Sequence, residues 1–141
     1  MTTNNKLLEP EFWETATRQD VMEAIKNGAS VRACNENGTT PLHRVAMYGK
    51  DPELVSLLIK HGADIEARDK GGYTPLLAAS ELHGVLPEMI EKLLDHGANI
   101  NACSYRSPFD RVMFFADTNG SLEGSNALKR LREMKGQQNT D

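Results

Sequence analysis

Apolar positions in this chain fall into short blocks at helical spacing, each ended by a glycine. Leu54, Val55, Leu57, Leu58 and Ile59 give one predicted helix a broad apolar face, and Met89, Ile90, Leu93 and Leu94 do the same between Pro87 and Asp95. The first of these starts at Asp51-Pro52-Glu53, with Asp51 as N-cap and Pro52 as first helical residue, where a missing N–H costs nothing. Gly62 closes it. Ahead of each lies a shorter helix opened by Thr-Pro. Thr40 caps one over about Pro41 to Tyr48, ending at Gly49, and Thr74 opens another that reaches Leu82. From Ala63 to Gly72 the chain is polar and reads as an extended stretch turning at Gly71-Gly72.

The pattern is periodic. Thr40-Pro41-Leu42-His43 returns as Thr74-Pro75-Leu76-Leu77 and, eroded, as Ser107-Pro108-Phe109-Asp110, at steps of 34 and 33 residues. A second marker interleaves with it: Asn27-Gly28-Ala29-Ser30, His61-Gly62-Ala63-Asp64 and His96-Gly97-Ala98-Asn99, with glycines 34 and 35 apart. One period near 33 that begins on Thr-Pro-Leu-His resembles the ankyrin repeat, over Phe12 to Met134. The resemblance implies an all-α solenoid of about four helix-turn-helix repeats, with hairpin-like fingers between them. Repeat bounds are expected at about 10–37, 38–70, 71–104 and 105–135, as one domain over 10–135. From the motif Thr to the Glu opening the next helix there are 13 residues in the second repeat and 14 in the third, longer than the family's usual link. Surface insertions of this kind are cheap.

The ends depart from the motif. The first repeat keeps a short Phe12-Trp13 segment, then Thr17-Arg18-Gln19-Asp20, which resembles a capping box, and a helix carrying Val21, Ala24 and Ile25. The fourth keeps Ser107-Pro108-Phe109, inserts a polar loop from Asp117 to Gly124, and ends in a helix of about Ser125 to Met134. Lys129, Arg130, Arg132, Glu133 and Lys135 suit an outward face that no further repeat covers. Residues 1–9 and 136–141 are expected to be flexible.

Composition narrows the function classes. With 16 Lys plus Arg against 20 Asp plus Glu, the net charge of −4 predicts no general attraction to nucleic acid or anionic membrane. The first twenty residues hold no apolar run longer than Leu7-Leu8, so neither a signal peptide nor a membrane anchor is expected, and the expected setting is cytoplasmic. Cys34 and Cys103 sit at equivalent places two repeats apart. Helical layers are about 8–10 Å thick, which puts their Cα atoms about 16–20 Å apart, beyond the roughly 7 Å reach of a disulfide, so two free thiols are expected. His43, His61, His83 and His96 have no partners at metal-ligand spacing, no cofactor motif occurs, and no nucleophile elbow or phosphate loop is present. In the family the His43 imidazole bonds the neighbouring finger, and Leu77 and Asp110 replace it in the later repeats, which must then be joined otherwise.

These readings point to a non-catalytic protein-interaction module, monomeric by itself, that binds another protein on its concave face. The alternatives are a dedicated inhibitor or immunity-type protein that blocks a partner, and, more remotely, an enzyme or a nucleic-acid-binding protein. The resemblance implies that the face comprises the finger tips and the seventh and eighth residues after each motif Thr. On the helices these are Met47 and Tyr48, Glu81 and Leu82, and Phe114 and Phe115; on the fingers they are Glu36, Asn37, Thr39, Lys70, Tyr73, Tyr105 and Arg106. Protein interfaces favour Tyr, Phe, Met and Arg at their centres. The competing possibility is that the Phe pair packs under the inserted loop, and that Met47, Tyr48, Tyr73 and Leu82 are core. The extra residues between helices and the loop after Ala116 could enlarge the surface.

Overall fold

A computed structural model describes residues 5–107 and 111–138. Among the described residues eight α-helices alternate between two layers: α1 Pro10–Thr15, α2 Arg18–Lys26, α3 Pro41–Tyr48, α4 Glu53–Lys60, α5 Pro75–Glu81, α6 Pro87–Asp95, α7 Val112–Thr118 and α8 Asn126–Gln138. The odd-numbered helices stack in order as an inner layer, and α2, α4, α6 and α8 stack outside them. Local chemistry accounts for the punctuation. Thr17 and Asp20 form a reciprocal capping box on α2, Thr40 and His43 form one on α3, and the Thr74 hydroxyl accepts the Leu77 N–H on α5. Gly62, just past α4, takes φ +100°, a left-handed conformation that closes the helix and that side chains rarely adopt.

One hydrophobic core runs the length of the stack. Leu42, Val45 and Ala46 of α3 and Leu54, Val55 and Leu58 of α4 are fully buried, and Leu76, Leu77 and Ala79 continue the layer through α5 to Met89, Ile90 and Leu93 of α6. Each of the Leu, Val, Ile and Met side chains contributes about 1.5–3 kcal/mol on leaving water. Three ion pairs bridge successive outer helices: Arg18 with Asp51 at 2.7 Å, Lys92 with Glu53 at 2.7 Å, and Arg130 with Asp95 at 2.6 Å. The Arg18 hydrogen bond holds the Asp51 carboxyl below its ordinary pKa. These pairs are exposed, where the stabilisation is about 0–1 kcal/mol apiece.

The structure departs from the sequence-based expectations at both ends. Within the stretch read as a flexible N-terminus, Lys6–Leu8 form a single 3₁₀ turn with Leu7 fully buried, and the carbonyl of Leu7 accepts the Trp13 indole N–H at 2.9 Å. Residues 1–4 lie outside the described residues. The helix expected to end near Met134 continues to Gln138, inside the stretch read as a flexible tail, and residues 139–141 lie outside the description. In the fourth repeat the inner helix does not follow directly on Ser107. Arg111 is extended and pairs as an isolated β-bridge with Cys103, so α7 starts at Val112; 108–110, including Asp110, are outside the described residues. The loop after Ala116 is docked rather than merely solvated. Asn119 is buried and its Nδ2 donates to the carbonyls of Ser80 at 2.9 Å and Leu82 at 2.8 Å, satisfying the open end of α5. A 3₁₀ turn over Gly120–Leu122 then buries Leu122, and the Ser121 hydroxyl accepts the Gly84 N–H.

Candidate functional site

Three fingers cross the ends of the inner layer, and backbone hydrogen bonds register each on the one before. The Lys70 N–H donates to the Asn37 carbonyl at 2.9 Å, and 35 residues on, the Tyr105 N–H donates to the Gly71 carbonyl at 2.8 Å. Gly72 makes the second contact possible. A Cβ there would stand 2.6 Å from the Tyr105 nitrogen and 2.7 Å from its ring, and φ is +85°. Tyr105 is therefore seated directly on Gly72.

The junction between the second and third repeats runs through His43. The Thr40 N–H donates to Nδ1 at 3.1 Å, which leaves the proton on Nε2, and Nε2 donates to the Tyr73 carbonyl at 2.7 Å. Burial lowers the imidazole's pKa, so the neutral ring the geometry requires is the favoured one. At the next junction Leu77 occupies the equivalent place, and Arg68 takes over the bridging. Its Nη1 donates to the carbonyls of Gly72 and Cys103, both at 2.8 Å, while its guanidinium lies 5.7 Å from the Tyr105 ring centroid. His61 and His96 stand at the C-caps of α4 and α6, and His96 Nε2 lies 2.9 Å from the Ser56 hydroxyl. Cys34 and Cys103 are both free thiols. Among the described residues no cluster of three or more His, Cys, Asp or Glu could hold a metal ion. Among the same residues no helix is long and apolar enough to cross a membrane.

The structure sorts the sequence-selected surface residues into two groups. Met47, Tyr48 and Leu82 meet at the ends of α3 and α5 and line a groove of about 480 Å³ together with Glu14, Thr15, Lys50, His83 and Gly84. All three are part-buried, neither core nor fully free. Glu14 and Thr15, at the end of α1, belong to this column and escaped sequence reasoning because the first repeat lacks the Thr-Pro marker that would have aligned them. Glu81, exposed, precedes Leu82.

The second group is aromatic. Tyr73 stacks on Phe115 with centroids 6.2 Å apart and planes 20° apart, and Phe115 meets Phe114 edge-on at 5.8 Å. The Phe pair is not hidden by the loop: Phe114 is 55% exposed and Phe115 part-buried. The pair does not sit at the end of its helix as Met47 and Tyr48 do, because α7 starts late. Tyr105 is 69% exposed, and Lys70 and Arg106 are exposed beside it. Glu36 and Asn37 lie exposed on finger one with Thr39 part-buried, and Glu36 also edges a larger recess of about 880 Å³ at the N-terminal end of the stack, among Phe12, Ala24, Ala29 and Cys34. That recess holds no other residue of the selected face.

A family profile for ankyrin repeats, in three copies, matches residues 14–103. The chain belongs to the ankyrin-repeat family. The match begins at the end of α1, covers α2 to α6 and stops before α7 and α8. Ankyrin repeats generally mediate protein–protein interaction, and the family is typically non-catalytic. An ankyrin repeat-containing protein of Schizosaccharomyces pombe is 37% identical over 76 residues, which are 52% of this chain and 36% of that protein. The potassium channel AKT3 of Oryza sativa subsp. japonica is 40% identical over 60 residues, 42% of this chain and 6% of the channel. The 2-5A-dependent ribonuclease of Mus musculus is 40% identical over 60 residues, 42% of this chain and 8% of that protein. The chain thus spans about a third or less of these relatives.

Proposed function

We propose that this ankyrin-repeat chain is a non-catalytic binding module that receives another protein on its concave face, along the inner-helix ends and the finger tips. The observation that carries the reading is the groove where the ends of α1, α3 and α5 converge, with part-exposed Met47, Tyr48 and Leu82 in its wall. Part-buried Met, Tyr and Leu in a concave site are held by their own packing, so they lose little rotamer freedom when a partner covers them. The outer layer, by contrast, presents charged side chains already engaged with one another. The larger recess at the N-terminal end is less suited, because polar and charged side chains such as Lys6, Asp20, Glu23 and Asn27 make up much of its wall. The two free thiols, Cys34 exposed, fit a reducing compartment such as the cytoplasm. The test is a pull-down from the native source with the wild-type chain and with Tyr48→Ala plus Tyr73→Ala, the fold of each verified by thermal unfolding. The reading expects partner recovery to drop severalfold in the double variant, and undiminished recovery sinks the choice of surface.

A further inference from the structure

Two of the three large apolar side chains that stand exposed in the described structure, Tyr105 and Phe114, flank the second and third fingers. Between them lies an aromatic cluster, Phe114, Phe115 and Tyr73, with Tyr105 seated on the neighbouring Gly72. Phe114 leans on Phe115, Phe115 stacks on Tyr73, and the next residue back along finger two, Gly72, carries the Tyr105 ring. Arg68, Lys70 and Arg106 set positive charge beside it, and none of the three forms an ion pair with a described carboxylate. Arg68 spends its hydrogen bonds on two backbone carbonyls, and neither Lys70 nor Arg106 forms an ion pair with any described residue. Arg18, Lys92, Arg130 and Arg132, by contrast, each hold a carboxylate. Asp69, between Arg68 and Lys70, has its Oδ1 engaged by the N–H groups of Gly71 and Tyr73.

From this arrangement we infer that the finger end of the concave face is a docking site for an acidic linear segment of the partner, one in which Asp or Glu flanks an aromatic or large aliphatic side chain. The inference rests on the concave-face reading above and specifies its partner. The apolar side chain lies on the Tyr73–Phe115–Phe114 surface, and the flanking carboxylates meet Lys70 and Arg106. Charge and stacking divide the work: aromatic contact supplies the buried area, and the two cations set which sequences are accepted and how fast they arrive. A basic-aromatic patch could also stack single-stranded bases, but a chain with a net charge of −4 repels a polyanion over the rest of its surface, and a short acidic segment confined to the patch does not meet that field.

The test selects binders from a phage-displayed library of random linear peptides on the folded full chain, then measures the affinities of the synthesised winners for wild type, for Lys70→Glu plus Arg106→Glu, and for Tyr48→Ala. Both charge reversals are on exposed side chains without ion pairs, so the fold tolerates them. The inference expects winners rich in Asp and Glu around an aromatic or large aliphatic residue, a loss of about tenfold or more in the charge-reversed chain, and affinity that falls with added salt. Winners without acidic enrichment, full affinity for the charge-reversed chain, or an absence of winners overturns it. So does tighter binding of single-stranded oligothymidylate than of any peptide. Winners that lose affinity only in Tyr48→Ala overturn this inference and leave the concave-face reading standing, whereas winners indifferent to both variants overturn both.

Discussion

Between the second and third repeats a buried imidazole joins helix cap to finger, whereas between the third and fourth a leucine fills the same place and the joint is made from the outside. In the first junction His43 closes its own capping box and donates to the Tyr73 carbonyl, so one side chain sets the helix start and the finger position together. In the second, Leu77 adds apolar contact to the core, and the polar tasks pass to three other groups: Arg68 on the fingers, the close seat of Tyr105 on Gly72, and Asn119 at the far end of α5. The motif histidine is therefore not the only way to join successive repeats: at this junction other side chains bind other carbonyls across it. The substitute joint also leaves the aromatic and cationic side chains of fingers two and three at the surface.

If the second junction depends on that close seat, Gly72→Ala should be the most damaging single change, because the added methyl meets the Tyr105 backbone nitrogen and φ is positive. The expected loss is about 2–4 kcal/mol by urea unfolding, from left-handed strain plus the displaced hydrogen bond. Asn119→Ala should follow at about 2–3 kcal/mol, since it strands two carbonyls at the end of α5. A loss below about 0.5 kcal/mol, the usual span of a surface substitution, would mean that the loop adds nothing to the joint.

His43→Leu copies the second junction's residue into the first without its substitutes. About 1–2 kcal/mol should be lost at neutral pH, as the Tyr73 carbonyl and Thr40 N–H lose their partner. Its pH dependence sharpens the comparison. Because burial lowers the folded-state pKa of His43, the unfolded chain takes up the proton first. The stabilisation is complete above about pH 6.5 and declines as the pH falls below it. Urea midpoints between pH 7 and 5 should show that decline in wild type and a flatter profile in His43→Leu. The smallest effect is expected from Lys92→Met, which breaks an exposed bridge between α4 and α6 and should change stability by less than about 0.5 kcal/mol. A larger loss would show that the outer ion pairs, rather than the inner joints, hold the layers in register.

Much of this architecture is legible in the sequence because its signals are local. Thr40-Pro41 and Gly49 place α3, and Pro87 and Gly97 place α6, at the observed bounds, while Asp51-Pro52 places α4 one residue early, since Asp51 caps from just outside the helix. The His43 bond to the next finger is also foreseen, through the family motif. What escapes depends on contacts across the chain. The late start of α7 follows from Arg111 pairing with Cys103, and the docking of the 119–122 segment follows from carbonyls 37 to 39 residues earlier. Leu122, alone in a polar loop, was the one local hint. For the candidate surface, spacing finds Met47, Tyr48 and Leu82 but misses Glu14, Thr15, Lys50 and His83, which share their groove only through stacking.

The concave-face account is tested most directly by amide hydrogen exchange on the full chain, alone and with the partner recovered by pull-down. It predicts added protection over residues 39–48 and 70–82, with α2, α4 and α6 unchanged. Protection confined to those outer helices, with the fingers and inner-helix ends exchanging as in the free chain, would contradict it.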